Sequence, residues 1–265
     1  MNLTLYRREM KSSIKLLVIF AAVMALYLTV IIRMYDPVLM KTLDGFVEVM
    51  PELMAAVGMH AGATSLLGFM ISYLYGFILL IFPMVFCMIR ANGLIARYVE
   101  KGSMVSLVAA PIKRRTIACT QLSVLLSGVL LLLLFVTILE AGIAQSSFPG
   151  ELELSDLLML NGGLLCLHLF IGGICFLASC LFSDTKYSLA LGAGLPALMY
   201  VLQMLANVGE KAEAAKYFTI FTLFDANGIV AGEHSARMGM AILLLGAILL
   251  FSAAIWTFCK KDLHI

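Results

Sequence analysis

Long apolar runs separated by short polar segments dominate the pattern along the chain. Six of these runs are long enough for an α-helix to cross the hydrocarbon core of a bilayer, which takes roughly 20 residues. They lie at about 16–32, 66–89, 117–144, 157–182, 187–208 and 238–259. Backbone amides in lipid must be paired within their own segment, so we predict helices rather than open strands. The pattern therefore predicts an all-α integral membrane protein with six transmembrane helices.

Composition supports lipid as the solvent for most of the chain. Of the 265 residues, 62% are apolar and 13% are charged, and the mean hydropathy is +1.03. A soluble domain carries about a quarter charged residues. No linker rich in Ser, Gly or Pro divides the chain, so we predict one transmembrane domain over residues 1–265. The six cysteines lie in or beside apolar runs without a CxxC spacing, which favours packing over a zinc or redox site.

Basic residues are distributed unequally among the segments between the runs. With a cytoplasmic N-terminus, thirteen of the 18 Lys and Arg residues fall inside, and twelve of the 16 Asp and Glu residues fall outside. The positive-inside rule then places both termini in the cytoplasm. Arg33-Met34-Tyr35 follows the first run, where a cleaved signal peptide would show a small-x-small site. We therefore predict a retained first helix and an N-in, C-in topology.

The segment before the first run has a helical pattern of its own. Leu3, Tyr6, Met10 and Ile14 form an apolar stripe, with basic residues to one side of it. This pattern predicts a short interfacial helix on the cytoplasmic face, with its apolar side in the lipid. The alternative is a disordered basic tail that only fixes the topology.

The loop between the second and third runs holds a helix that is too short to cross the bilayer. Ser103 follows Gly102 and is able to cap a helix over 104–110. Pro111 ends this helix, because the residue before a proline disfavours the helical region. A basic, partly apolar helix on the cytoplasmic side needs something to pack against. Two interpretations stay open: contact with lipid headgroups, or docking of a soluble partner.

The loop between the fifth and sixth runs is aromatic and apolar over 217–224, again too short to span. Polar and glycine residues, among them Asp225 and Gly228, interrupt it directly afterwards. We predict a short external re-entrant hairpin that includes Phe221, Phe224, Asp225 and Gly228. Irregular backbone at that depth requires protein or a cavity around it. The alternative is an aromatic belt at the outer interface.

Motifs for catalysis, metal binding and nucleotide binding do not occur in the sequence. It has no P-loop, HExxH, GxSxG or paired-carboxylate motif, so we expect no catalytic, cofactor or metal site. His168 is the ionisable residue nearest the middle of a span and is a possible intramembrane polar site, although a neighbouring carbonyl could equally satisfy it structurally. Glu140 lies near the outer end of the third run, and we expect it to reach the headgroups. An ion-coupled transporter and an intramembrane protease are disfavoured, and Gly192, Gly194 and Pro196 could loosen the fifth span.

Several short motifs in the loops carry a resemblance to a known family. They are Glu100-Lys101-Gly102-Ser103, then Leu107, then Pro111-Ile112-Lys113-Arg114, and later Phe224-Asp225 and Lys261-Asp262-Leu263. With the layout of six runs and the N-terminal amphipathic segment, the chain resembles the ABC-2 type permeases, the membrane subunits of ATP-driven exporters. The resemblance covers the whole chain in layout.

The resemblance implies a role for the second loop. Two permease chains, identical or homologous, would form the pathway, and two copies of a separate ABC ATPase would bind ATP and Mg²⁺, leaving no cofactor on this chain. The segment 102–110 would be a coupling helix seated in a cleft of the ATPase. The residues implied in coupling are Glu100, Gly102, Ser103, Met104, Leu107, Pro111 and Arg114. Closure of the ATPases on ATP would then shift the bundle between its states.

The cargo is a weaker expectation. The family exports lipids, polysaccharides, drugs and amphipathic peptides, and the spans here are apolar and rich in Met and Phe, a malleable lining. We therefore expect an amphipathic or hydrophobic cargo such as a peptide toxin, an antimicrobial peptide or a drug, with lipid as the alternative. A stand-alone immunity or scaffold protein without ATPase coupling is the competing class. We expect the plasma membrane of a bacterium, no enzymatic activity in this chain, and no nucleic-acid partner.

Overall fold

A computed structural model of the protein describes residues 1–36, 49–56, 65–208 and 210–261. In these ranges the backbone forms helices and no strand. The α-helices are α1 Leu3–Arg33, α2 Pro51–Ala56, α3 Leu66–Met70, α4 Ile78–Leu94, α5 Ala96–Glu100, α6 Met104–Ala109, α7 Arg114–Ser147, α8 Leu154–Leu181, α9 Thr185–Gly192, α10 Gly194–Asn207, α11 Ala226–Val230 and α12 His234–Lys260. A π-helical turn, Ile71–Tyr75, follows α3, and two 3₁₀ segments, Glu210–Phe218 and Phe221–Leu223, lie between α10 and α11.

Six helical stretches within the described ranges are long and apolar enough to cross a membrane. They are α1, α4 with α5, α7, α8, α9 with α10, and α12. Large apolar side chains cover their outer faces; Ile138 on α7 and Leu249 on α12 are 64% and 70% exposed. Apolar surface on this scale is foreign to a water-soluble monomer, so lipid solvates these faces. The prediction of an all-helical, multi-pass membrane protein is confirmed at this level.

The first helix is longer than the sequence predicts. α1 runs unbroken over 31 residues, which is about 46 Å at 1.5 Å per residue. Its N-terminal part is tied to α7, where the Asn2 backbone N–H donates to the Thr120 hydroxyl and the Tyr6 hydroxyl donates to Ser127. The structure thus differs from the prediction of a separate interfacial helix, because these contacts hold the N-terminal segment in line with the span.

The second predicted span is divided into two helical segments. The run at 66–89 begins with α3 and the π-helical turn, and the helix then breaks at Phe77, whose φ and ψ are −137° and −66°. Gly76, directly before the break, has a low helix propensity. α4 continues past the predicted end, so Arg90 lies within the helix and is buried. Turns of the π type inside helices are frequent at functional sites.

The fifth predicted span is interrupted between α9 and α10, at the residues that suggested a loosened helix. Pro196 has no N–H, so the carbonyl of Gly192 lacks its helical donor. The Cys175 thiol of α8 donates to that carbonyl over 3.0 Å between Sγ and O. A Cβ at Gly192 would lie 3.1 Å from the Cβ of Ala178, so glycine allows α9 to pack closely on α8.

The helix α8 lies at the centre of the bundle and packs against α4, α7, α9, α11 and α12. Its contact with α12 is the most extensive, and glycines on both helices shorten the distance between them. A Cβ at Gly173 would lie 2.9 Å from the Cβ of Leu250, and one at Gly246 would lie 2.3 Å from a ring carbon of Phe170. Glycine at these two positions therefore allows α8 and α12 to pack closely.

Side-chain contacts bring the two described termini to the same end of the bundle, which we call the inner end. Arg90 of α4 pairs with Glu9 of α1, and Arg114 at the start of α7 donates to the Lys261 carbonyl after α12. The opposite end, called the outer end, carries the turn between α7 and α8. Both termini on one side agree with an even number of crossings. Residues 262–263, part of the C-terminal motif, lie outside the described residues.

Candidate functional site

The loop between α4 and α7 forms two short helices at the inner end. The first, α5, ends at Glu100, and Gly102 follows it with a φ of +70°. Glycine adopts this left-handed conformation without the steric cost that other residues meet. The chain therefore turns at Gly102, and α6 leaves in a new direction. The short helix predicted at 104–110 is present as α6, and Pro111 lies beyond its end.

One side-chain hydrogen bond joins this loop to α9, and another lies within the loop. The Thr185 hydroxyl at the start of α9 donates a hydrogen bond to the Glu100 carboxylate. Ser103 does not cap α6, contrary to the prediction; its hydroxyl donates to the Tyr98 carbonyl of α5 at 3.2 Å. The reason lies in its backbone, which is helical, whereas a capping residue is extended.

The helix α6 has one side in the core and another side exposed. Met104 is 1% exposed, and Leu107 is half-buried against the core. The exposed positions are Val105, Ser106 and Ala109. Met104 and Leu107, both implied in coupling, therefore anchor the helix to the core. The surface open to a partner consists of the short side chains of Val105, Ser106 and Ala109, which the family motif does not include.

Arg114, also implied in coupling, closes the inner end of the bundle. Its Nη1 donates to the Lys261 carbonyl at 2.9 Å, and the Lys261 Nζ donates to the Cys180 carbonyl at the end of α8 at 3.2 Å. Cations at helix C-termini stabilise carbonyls that lack intrahelical donors. Burial lowers the pKa of the Lys261 ammonium, and the nearby Cys180 opposes that shift. These two bonds link α7, α12 and α8 at one point.

The outer segment, residues 217–230 between α10 and α12, packs back against the bundle. Phe221 and Phe224 are buried, whereas Tyr217 is 80% exposed. Asp225 caps α11, since its Oδ1 accepts from the Gly228 N–H at 3.0 Å. The apolar run ends where predicted, but a short capped helix follows it instead of an irregular turn, because Asp225 satisfies the first free N–H groups of that helix.

Two glycines on the long helices make room for the outer segment. A Cβ at Gly163 of α8 would lie 2.6 Å from Cδ1 of Ile229, and a Cβ at Gly239 of α12 would lie 2.4 Å from the Leu223 carbonyl oxygen. Gly163 is nine residues from the start of α8, about 14 Å along the helix axis. The outer segment therefore reaches well below the outer end of α8.

A cavity of about 320 Å³, called the outer cavity, lies between this segment, α10 and the π-helical turn. Its aromatic lining residues are Tyr75, Phe221 and Phe224, and its polar ones are Gln203, Asn207, Thr222, Asp225 and Asn227. This volume lies at the lower end of the range of roughly 300–1,000 Å³ for small-molecule sites. The mixed lining suits a ligand with both an apolar and a polar part.

Glu140 is fully buried behind the outer cavity, so the expectation that it reaches the headgroups is wrong. Its Oε2 accepts from the Tyr75 hydroxyl at 3.0 Å and from Nδ2 of Asn161 at 2.8 Å. These two donors hold the side chain inward. Its Oε1 and the Asn161 Oδ1 have no hydrogen-bond partner in the described part of the chain. Buried acceptors without donors are uncommon and costly, so this polar cluster joins the candidate site.

A signal for this cluster was present in the sequence. Glu140 lies seven residues before the end of α7 and Asn161 seven residues after the start of α8, and a short turn joins these two neighbouring antiparallel helices. Residues placed symmetrically about such a turn lie at the same depth. The third member, Tyr75, comes from the π-helical turn, which no pattern in the sequence indicates.

His168 of α8 is fully buried, and both of its ring nitrogens face carbonyl oxygens. Nδ1 is 2.8 Å from the Leu164 oxygen, and Nε2 is 3.2 Å from the Leu80 oxygen on α4. Leu80 also lines the outer cavity. A neutral imidazole carries one N–H, so the ring donates to one of these two carbonyls, and its Nε2 lies against α4 next to the cavity.

The residues singled out in the sequence fall into two groups at opposite ends of the bundle. The residues implied in coupling, from Glu100 to Arg114, lie at the inner end. The outer-segment residues Phe221, Phe224, Asp225 and Gly228 lie toward the outer end, and His168 lies between the two groups beside the outer cavity. Comparison of the chain with protein-family models, with curated proteins and with solved structures gives no match. Residues and geometry are therefore what a functional assignment rests on.

Proposed function

We propose that the chain is the transmembrane permease subunit of an ABC exporter. In this proposal it moves an amphipathic or hydrophobic cargo out of the cell, using ATP hydrolysed by a separate subunit. The observation that carries the proposal is α6, a short helix with Met104 in the core and an exposed face of short side chains. The inner end is cytoplasmic, the membrane is the plasma membrane of a bacterium, and a second permease chain completes the pathway.

The contacts of the inner loop supply a route from an ATPase to the bundle. Glu100 is bonded to Thr185 on α9, and Arg114 is bonded through Lys261 to the end of α8. A partner that moves α6 would therefore displace α9, α12 and the central helix α8 together. Packed helices joined in this way shift between discrete arrangements rather than deform continuously.

The outer cavity supports an amphipathic cargo. Aromatic side chains line one side of it and amides and a carboxylate line another. The neighbouring outer segment reaches about 14 Å below the outer end of α8, where this helix begins. This depth favours the re-entrant hairpin over a surface belt. The break between α9 and α10 after Gly192 interrupts the apolar stretch whose C-terminal part, with Gln203 and Asn207, lines the cavity. A lipid, which also has an apolar and a polar part, is the second candidate cargo.

A substitution on the exposed face of α6 tests the coupling role. Ala109→Arg places a bulky charge on that face without disturbing the core, since Ala109 is exposed and Arg favours helices. The matched control is Thr4→Arg, at an exposed position of α1 at the same end of the bundle. We expect Ala109→Arg to reduce the ATPase recovered with the chain from native-host membranes at least about tenfold, as a clash at a hot spot does.

The control should retain the ATPase at the level of the unmodified chain. Equal recovery with both variants would overturn the docking role of α6. Function that persists after deletion of every ATPase encoded nearby would favour the stand-alone immunity or scaffold protein instead.

A further inference from the structure

A second cavity, of about 510 Å³, opens at the inner end between α1 and the helices α4 and α5. We call it the inner cavity. Four basic side chains line it, contributed by Arg8, Arg90, Arg97 and Lys101. The one carboxylate in its lining is that of Glu9. The inner cavity is therefore strongly positive, and the proposed transport function assigns it no role.

The Glu9 carboxylate already accepts hydrogen bonds from other side chains of the protein. Glu9 accepts from Nη2 of Arg90 at 3.3 Å and from the Tyr98 hydroxyl. Within the described ranges no ion pair involves Arg8, Arg97 or Lys101. Three cations therefore face one cavity without a counter-charge from this part of the chain.

Arg90 contributes a second, independent observation. Its side chain is 9% exposed, and its Nε is buried with no hydrogen-bond partner in the described residues. Burial of an unpaired donor on a guanidinium is costly. Arg90 lines the inner cavity, and a phosphate beside its guanidinium would offset part of this cost, since guanidinium groups match phosphate oxygens well.

The rim of the inner cavity is apolar on the side of the bundle surface. Leu16 and Ile89 belong to the lining, and Ile89 is 47% exposed on the outside of α4. A molecule whose phosphate enters the basic pocket would lay its apolar chains against these two residues. Juxtamembrane clusters of Lys and Arg attract anionic lipids in the same way.

We propose that the inner cavity binds a phosphate-bearing anion, with the headgroup of an anionic membrane lipid as the source that its apolar rim favours. Arg90 positions the phosphate, and Arg97 and Lys101 add charge at the mouth. The inference is independent of the ABC exporter assignment, because it uses only the contents of this cavity.

The test measures binding to the full chain in detergent. Three probes are titrated separately: dioctanoyl phosphatidylglycerol, dioctanoyl phosphatidylcholine and inorganic phosphate. The double variant Arg97→Gln/Lys101→Gln is compared with Lys113→Gln/Arg115→Gln, which removes the same charge from exposed positions outside the cavity. Each cationic side chain near an anionic lipid contributes about fivefold in affinity, so we expect about 25-fold weaker phosphatidylglycerol binding for the cavity variant alone.

Each outcome decides something. Tight binding of phosphatidylglycerol but not of the other two probes supports the lipid source, and binding of inorganic phosphate with the same variant dependence supports a soluble one. Equal affinities for phosphatidylglycerol and phosphatidylcholine together with no phosphate binding, or equal losses in both double variants, would overturn the proposal. If the cavity variant fails to fold, Arg8→Gln, at an exposed position of the same cavity, replaces it with an expected loss of about fivefold.

Discussion

The close approach of the outer segment to α12 at Gly239 provides a sharp test of the architecture. A Cβ at this position would lie 2.4 Å from the backbone carbonyl oxygen of Leu223. Backbone cannot rotate away as a flexible side chain does, so Gly239→Ala must push the outer segment off α12 or distort the helix. Overpacking of this kind costs about 1–3 kcal/mol, offset by up to about 1 kcal/mol from the better helix propensity of alanine.

Subtracting the full gain from the overpacking cost leaves about 0–2 kcal/mol, and we take the middle value of about 1 kcal/mol as the expected net loss for Gly239→Ala. For a chain of this size it corresponds to a melting temperature lower by about 2–4 °C. The control is Gly162→Ala, where a Cβ would meet only Cε of Met240 at 3.9 Å. The control keeps the helix-propensity gain without the clash, so it should melt at or above the temperature of the unmodified protein.

A thiol-reactive fluorophore suits this measurement, because Cys87, Cys175 and Cys180 are free and buried. They react only when the bundle opens on heating. If Gly239→Ala melted with the unmodified protein while Gly162→Ala melted lower, the packing of the outer segment on α12 would be refuted.

Three further predictions follow from the polar contacts. Tyr75→Phe removes a donor from buried Glu140 and should cost about 0.5–1.5 kcal/mol, whereas Tyr187→Phe, at a 57% exposed position, should leave the thermal midpoint unchanged. Asp225→Ala removes a helix cap and should cost about 0.5–2 kcal/mol, but Glu233→Ala should cost little because its side chain makes no capping bond; equal midpoints would contradict the assigned cap. His168→Ala should destabilise the bundle by about 1–3 kcal/mol yet retain export in the folded fraction, and a folded variant without export would show a functional histidine.

The presence of six long apolar helices was predictable, because a helix needs roughly 20 apolar residues to cross a bilayer. Each predicted run overlaps a helical stretch of the structure, but the runs at 66–89 and 187–208 are interrupted, and the second apolar stretch is Ile78–Glu100. The short helix α6 was predictable as well, since Gly102 and Pro111 mark its two sides. The failure of Ser103 to cap α6 was not predictable, because it depends on the helical backbone conformation of Ser103 itself.

Side-chain contacts between helices that are far apart in sequence could not be predicted from the local pattern of apolar and polar residues. Arg90 directly follows the predicted run 66–89, but α4 extends past it, and the buried guanidinium pairs with Glu9 of α1. Glu140 was expected near the headgroups and is instead held inward by Tyr75 and Asn161. In each case the burial of a charged or polar side chain follows from a partner far away in sequence.

Purification of the chain from membranes of its native host, followed by mass measurement of the intact complex and an assay of its ATP hydrolysis, tests the central proposal most directly. We expect a complex with two permease chains and two copies of an ATP-hydrolysing subunit encoded by another reading frame. Recovery of the chain alone, or with partners that do not hydrolyse ATP, would contradict it.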